Sequence, residues 1–255
     1  MAPSVRSVLI TGASRGLGLE FVKQLLALPS APEVIIATCR DPTSATSLQD
    51  IAKSHSCVKV IKLDVQKDED IENAYKETAA LVGDRGLNIL INNAGQYDNS
   101  DDGGIYKTSR ERMQRHFDVN VSGPVVITQK FLPLVKMASE QKDSKDLNSQ
   151  AAVIIISSAK GSQTLTFDYG RGTSMHYKCS KTALTMAAIV LAHELREAGI
   201  YVAAIHPGWV QTDMGGPNAN ITKEESIAGC LEVISAASEE SHGKLVDWQG
   251  QVLPF

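Results

Sequence analysis

Short runs of branched apolar residues recur about six times along this chain of 255 residues, and longer stretches with apolar residues at helical spacing separate them. The runs occupy residues 8–10, 34–37, 58–63, 87–91, 153–156 and 202–205. They are continuous rather than alternating, which suits strands buried on both faces, as in a parallel sheet. Between them Leu17, Phe21, Leu25 and Leu28 return at helical spacing, as do Leu184, Ala188, Leu191 and Leu195. Strand and helix in regular alternation predict a doubly wound α/β fold with one parallel sheet flanked by helices. No linker or internal repeat divides the chain, so one domain over 1–255 is expected. Residues 139–150, 96–108 and 159–174 read as loops. The last two follow strand ends, where this architecture binds ligands.

The first strand runs into Thr11-Gly12-Ala13-Ser14-Arg15-Gly16-Leu17-Gly18. Glycines allow a tight turn and a close approach of backbone to a pyrophosphate, and the helix that starts there offers free N–H groups and a positive dipole end. A turn using glycine for geometry alone is the plainer reading. Its place between the first strand and the first helix favours the nucleotide.

Tyr177 and Lys181 stand at i and i+4 at the start of a helical stretch, so phenol and ammonium share a face. An ammonium near a phenol favours phenolate, which would make the tyrosine usable in acid–base chemistry near neutral pH. The same pair on a plain surface helix would contribute only about 0.2–0.5 kcal/mol. Coupled to the glycine-rich turn and to Ser157 and Ser158, it points to hydride transfer.

Composition excludes other classes. A net charge of −4 leaves no basic footprint for nucleic acid. Cys39, Cys57, Cys179 and Cys230 are scattered, without paired spacing for zinc, and read as reduced thiols of an intracellular protein. No apolar run reaches membrane-spanning length and residues 1–6 carry no signal-peptide core, so cytoplasm is the expected location.

The Thr-Gly-x-x-x-Gly-x-Gly turn, Asn92-Asn93-Ala94-Gly95, Asn120, Ser157-Ser158, Tyr177 to Lys181, and Pro207-Gly208 fall in one order along nearly the whole chain. In this it resembles the short-chain dehydrogenase/reductase family. It is most similar to the sniffer and C-factor-like carbonyl reductases through Thr38-Cys39-Arg40, residues 206–216 and the tail 243–255.

The resemblance implies a proton-donating Tyr177, and a Lys181 that lowers the tyrosine pKa and holds the nicotinamide ribose. It also implies a serine that polarises the carbonyl and an Asn120 that holds a water leading from the lysine to solvent. The family serine precedes x-x-Gly, which selects Ser158, before Ala159-Lys160-Gly161, over Ser157. Ser158 stands farther from Tyr177 than is usual, and the excess over 163–173 implies an elongated active-site loop. The cofactor contacts implied are Gly12, Ser14, Arg15, Gly16, Leu17, Gly18, Arg40, Asp64, Val65, Asn93, Ala94, Gly95, Tyr177, Lys181, Pro207, Gly208, Val210 and Thr212.

The end of the second strand decides the nucleotide. A carboxylate there would favour NAD by bonding the ribose 2′-hydroxyl. Cys39 fills the slot and Arg40 follows, with Arg15 in the turn as a second guanidinium suited to a 2′-phosphate. NADPH is therefore expected, with Asp41 as the route to NAD. His206 reads as a packed strand-end histidine, Asp64 as a strand-end turn or an adenine contact, and Thr212 as a helix cap or a cofactor contact. Trp209, Met214, Tyr97 and Phe167 could line an apolar pocket or belong to the core.

The expected function is an NADPH-dependent carbonyl reductase acting on aldehydes, ketones or quinones. An NAD-dependent alcohol or hydroxysteroid dehydrogenase and a non-catalytic NADPH sensor are the alternatives. Apolar positions Met186, Ala187 and Val190, beyond the core stripe of the helix over 176–196, imply a homodimer.

Overall fold

Val8 and Ile10 point to one face of the first strand and Leu9 to the other, and all three are fully buried. That requires helices on both faces, and the computed structural model supplies them. It describes residues 5–98, 104–141, 151–169 and 173–255. In chain order the elements are β1 (Ser7–Ile10), α1 (Gly16–Leu26), β2 (Val34–Cys39), α2 (Thr46–Ser54), β3 (Val58–Lys62), α3 (Asp68–Val82) and β4 (Ile89–Asn92). There follow α4 (Arg110–Phe117), α5 (Gly123–Ser139), β5 (Ala152–Ile156), α6 (Gln163–Tyr169), α7 (Met175–Leu195), β6 (Tyr201–His206), α8 (Lys223–Ser235) and β7 (Leu245–Asp247).

The seven strands lie in the order β3-β2-β1-β4-β5-β6-β7, all parallel. The order reverses between β1 and β4, so the crevice for a ligand opens beyond their carboxyl ends. Phe21, Leu25, Leu48 and Ile227 pack one face, from α1, α2 and α8. Ile71, Phe131, Leu184 and Ala188 pack the other, from α3, α5 and α7. The doubly wound parallel sheet expected from the runs is the fold observed.

Three details differ from expectation. A seventh strand is present; with only Leu-Val-Asp it is too short to show a pattern, and its pairing with β6 defines it. The segment expected as a loop over 163–173 contains α6, and residues 170–172 lie outside the described residues. The backbone N–H and the hydroxyl of Thr164 both donate to the Phe255 carbonyl, at 2.9 and 2.6 Å, which ties α6 to the tail. Of the loop expected over 96–108, residues 104–107 form a 3-10 turn and 99–103 lie outside the described residues; 142–150 of the loop over 139–150 do so as well.

Candidate active site

The glycine-rich turn is pinned to the end of β4. Thr11 Oγ1 accepts from the N–H groups of Asn93 and Ala94, both at 3.0 Å, while Asn93 Nδ2 donates to the carbonyls of Thr11 and Gly12 at 2.8 and 3.2 Å. A Cβ at Gly18 would lie 2.3 Å from the Gly12 carbonyl oxygen, and one at Gly12 would lie 3.0 Å from Ala94 Cα. Gly12 also has φ +69°, a conformation that favours glycine. The turn therefore closes on itself, and α1 leaves it with no side-chain cap from Arg15, so the first N–H groups of the helix are open to an anion. Ser14 is half-buried in this turn, and Gly16 lies near Thr212, whose Cγ2 would be 3.9 Å from a Cβ there.

The other expected cofactor residues end their strands around this cradle. Arg40 is exposed just past β2, and Arg15 pairs with Asp213 at 3.2 Å. That ion pair is exposed on both sides, at 73% and 80%, and so holds Arg15 weakly. Asp41 is turned away into its own turn, accepting from the Thr43 N–H at 3.0 Å and the Thr43 hydroxyl at 2.6 Å. These bonds hold its carboxyl below the usual range. Asp64 accepts from the Gln66 N–H at 3.2 Å, a strand-end turn, and Val65 packs against Gly123, where a Cβ would meet its own Cβ at 3.0 Å. Past β6 the Ser226 hydroxyl donates to the Pro207 carbonyl at 2.6 Å; Gly208 takes φ +85°, and Val210 bridges Ile221. Thr212 Oγ1 accepts from the Gly215 N–H at 3.0 Å.

Tyr177 and Lys181 lie on the inner face of α7, at 8% and 4% exposure. Lys181 Nζ donates 2.8 Å to the Ile156 carbonyl at the end of β5 and lies 5.7 Å from the centre of the Tyr177 ring. Ser158 Oγ accepts from the Lys160 N–H at 3.2 Å, and the serine lies near enough to the Tyr177 phenol to hold its pKa down. The Ser157 hydroxyl is instead turned into the protein, 2.9 Å from that of Thr185. Gly161 lets α7 approach: a Cβ there would sit 2.7 Å from the Lys181 carbonyl carbon. This accounts physically for a glycine three residues after Ser158.

Asn120 occupies a π turn, Asp118–Ser122, between α4 and α5. Its Oδ1 accepts from the Gln96 N–H at 2.7 Å, and Nδ2 donates to the Gln96 carbonyl at 2.9 Å and to Ser180 Oγ at 3.0 Å. Gly95 lies between it and Lys181, since a Cβ there would be 3.5 Å from Asn120 Oδ1 and 3.7 Å from Lys181 Nζ.

Burial dominates the electrostatics of the Tyr177 and Lys181 pair. Burial pushes the Tyr177 phenol up to about 12, only partly offset by Ser158, and it pushes Lys181 down to about 8. Desolvation disfavours both charged forms. Tyr177 is held protonated, the state a proton donor needs. His206 ends β6 with burial pushing it down to about 4, which leaves a neutral, packed ring.

Tyr97, Lys160 and Ser174 were not singled out as a group by the sequence. Tyr97 packs against Tyr177 with ring centres 4.7 Å apart and the ring planes inclined at 50°, and its hydroxyl is 2.8 Å from that of Ser174. Lys160 lies above the Tyr97 ring. The one available signal was position: Tyr97 follows Asn-Asn-Ala-Gly and Lys160 falls between Ser158 and Gly161.

The model of the short chain dehydrogenase family matches residues 6–223. The structure of an NADPH-bound carbonyl reductase from chicken fatty liver superposes with a TM-score of 0.92 at 39% identity, covering 98% of this chain and 99% of that one. The carbonyl reductase Sniffer of Drosophila melanogaster gives a TM-score of 0.94 at 32% identity, with 98% and 100% covered. A short-chain dehydrogenase of Penicillium roqueforti is 32% identical over 252 residues, 97% of this chain and 96% of that protein. The similarity to sniffer-like carbonyl reductases expected from the motifs is thus found in both sequence and fold.

Proposed function

The chain belongs to the short chain dehydrogenase family, and from that premise we propose that it is an NADPH-dependent carbonyl reductase acting on aldehydes, ketones or quinones. The observation that carries this reading is the buried Tyr177 and Lys181, the ammonium 5.7 Å from the ring centre, beside Ser158 at the carboxyl end of the sheet that also carries the glycine-rich turn. The chicken and Drosophila relatives, named as carbonyl reductases, support it.

The turn fits a dinucleotide. Its backbone is packed so closely that a Cβ at Gly18 would collide with the Gly12 carbonyl, and the uncapped start of α1 offers N–H donors to a pyrophosphate. Arg40 and Arg15 are exposed cations suited to a 2′-phosphate, and the engagement of Asp41 by Thr43 disfavours the route to NAD. NADPH when bound supplies the hydride that reduces the carbonyl carbon. Ser158 donates a hydrogen bond to the substrate oxygen, and Tyr177 gives its proton to that oxygen as negative charge develops there. Lys181 holds the ribose hydroxyls, and Asn120 steadies the Gln96 backbone beside it.

Initial rates with NADPH and NADH across a panel of aldehydes, quinones and ketosteroids test the reading. NADPH-linked reduction of at least one class is expected; binding of NADPH without turnover of any would leave a sensor instead. A cytosolic homodimer completes the proposal. Met186 and Val190 on α7 and Val125 on α5 are exposed apolar residues, a face suited to a second copy. Light scattering at micromolar concentration should give twice the chain mass.

A further inference from the structure

Lys160 reaches over the mouth of the site from the turn that follows Ser158. Its Nζ lies 4.6 Å from the centre of the Tyr97 ring, 6.0 Å from that of Tyr177, and 3.3 Å from the Tyr97 hydroxyl, to which it donates. An exposed lysine ordinarily sweeps a wide volume; here a ring face and a phenol oxygen both hold it. Tyr97 is itself held, its ring tilted against that of Tyr177 and its hydroxyl 2.8 Å from that of Ser174. Ser174 has φ +57°, the one positive φ outside glycine among the described residues.

Asp98, next to Tyr97, is turned to Arg115 at 3.2 Å. Lys178, on α7 one residue after Tyr177, is close enough that the Lys160 charge adds to burial in pushing its pKa down. Among the described residues Lys160 itself makes no ion pair. An ammonium that makes no ion pair among the described residues, held over the Tyr97 ring beside the proton donor, is a recognition element for an anion carried on a flat substrate.

We propose that Tyr97 and Lys160 form a specificity subsite that selects aromatic carbonyl compounds bearing a carboxylate, the ring lying along Tyr97 and the carboxylate meeting the Lys160 ammonium. This rests on the carbonyl-reductase reading and narrows its substrate class. Lys160 acts on binding and takes no part in the proton transfer.

The test compares 4-carboxybenzaldehyde with methyl 4-formylbenzoate, which share the reacting group and differ in charge. The ester has the more electrophilic aldehyde, so a preference for the acid cannot arise from intrinsic reactivity. The unmodified enzyme with NADPH should favour the acid in kcat/KM by about fivefold, through KM, the scale of one exposed ion pair. Raising the salt should erode that ratio. Lys160→Met should abolish it, Lys160→Arg should keep it, and Tyr97→Phe, which removes the phenol acceptor, should reduce it. Absence of the preference in the unmodified enzyme, or its survival in Lys160→Met, overturns the proposal.

A parallel titration by calorimetry uses protein loaded with NADP+, so that neither aldehyde is reduced. If neither aldehyde turns over with NADPH, the calorimetry alone judges the subsite, and the wider panel of aldehydes, quinones and ketosteroids judges the carbonyl-reductase reading separately. Tighter binding of the acid that is lost in Lys160→Met upholds it; equal binding of acid and ester overturns it.

Discussion

Lys181 Nζ donates its 2.8 Å hydrogen bond to the Ile156 carbonyl, at the end of the strand that leads into Ser158. The lysine thereby ties α7 to the same strand end that presents the serine, so the placement of Tyr177 relative to Ser158 depends on a bond that neither of them makes.

Tyr177→Phe should leave fold and nucleotide binding intact and lower turnover about a hundredfold or more, the scale of a lost general acid. Ser158→Ala should be comparably damaging. Ser157→Ala should cost less activity, because its hydroxyl faces Thr185. Steady-state kinetics rank the three, and near-normal turnover of Tyr177→Phe would remove it from the mechanism.

Arg40→Asp places an anion where a 2′-phosphate is expected and removes an exposed cation. The affinity for NADPH should drop on the order of tenfold more than that for NADH, since repulsion acts on only one of them. Equal losses, measured by fluorescence titration, would show that Arg40 does not read the phosphate.

Gly18→Ala drives a methyl group to 2.3 Å from the Gly12 carbonyl oxygen, with Ala13 Cα at 2.9 Å. Backbone has to move, at about 1–3 kcal/mol. The melting temperature should fall and nucleotide affinity with it. Unchanged affinity in a folded variant would mean the phosphates are held elsewhere.

Acid should destabilise the protein through buried histidines. Burial pushes His206 down to about 4 and lowers His116 and His176, whose rings stack with centres 4.1 Å apart. The unfolded chain takes up these protons from about pH 6.5 downward, whereas the folded protein resists them. The stability they contribute is therefore complete above about pH 6.5 and is lost as the pH falls toward the lower folded values, at up to ~1.4 kcal/mol per pH unit for each group. Thermal melts at pH 7 and pH 5 should differ less for His206→Asn than for the unmodified protein.

The sequence by itself determined the parts that depend on local chemistry. Continuous apolar runs specify buried parallel strands, and glycine at positions 12, 16 and 18 specifies a turn that no other residue type could close. The four-residue interval of Tyr177 and Lys181 places both on one face of α7. Only the tertiary structure decided what surrounds these groups. It gave the three-residue β7 a partner, made α6 out of a segment read as a loop, and turned Ser157 inward while Ser158 met the phenol. It also buried Tyr177 and Lys181, and desolvation, a sum over residues distant in the chain, disfavours the charged form of each. The packing of Tyr97 against Tyr177 beneath Lys160 belongs to the same class: three residues from separate segments meet only because β4 and β5 end, and α7 begins, at the same end of the sheet.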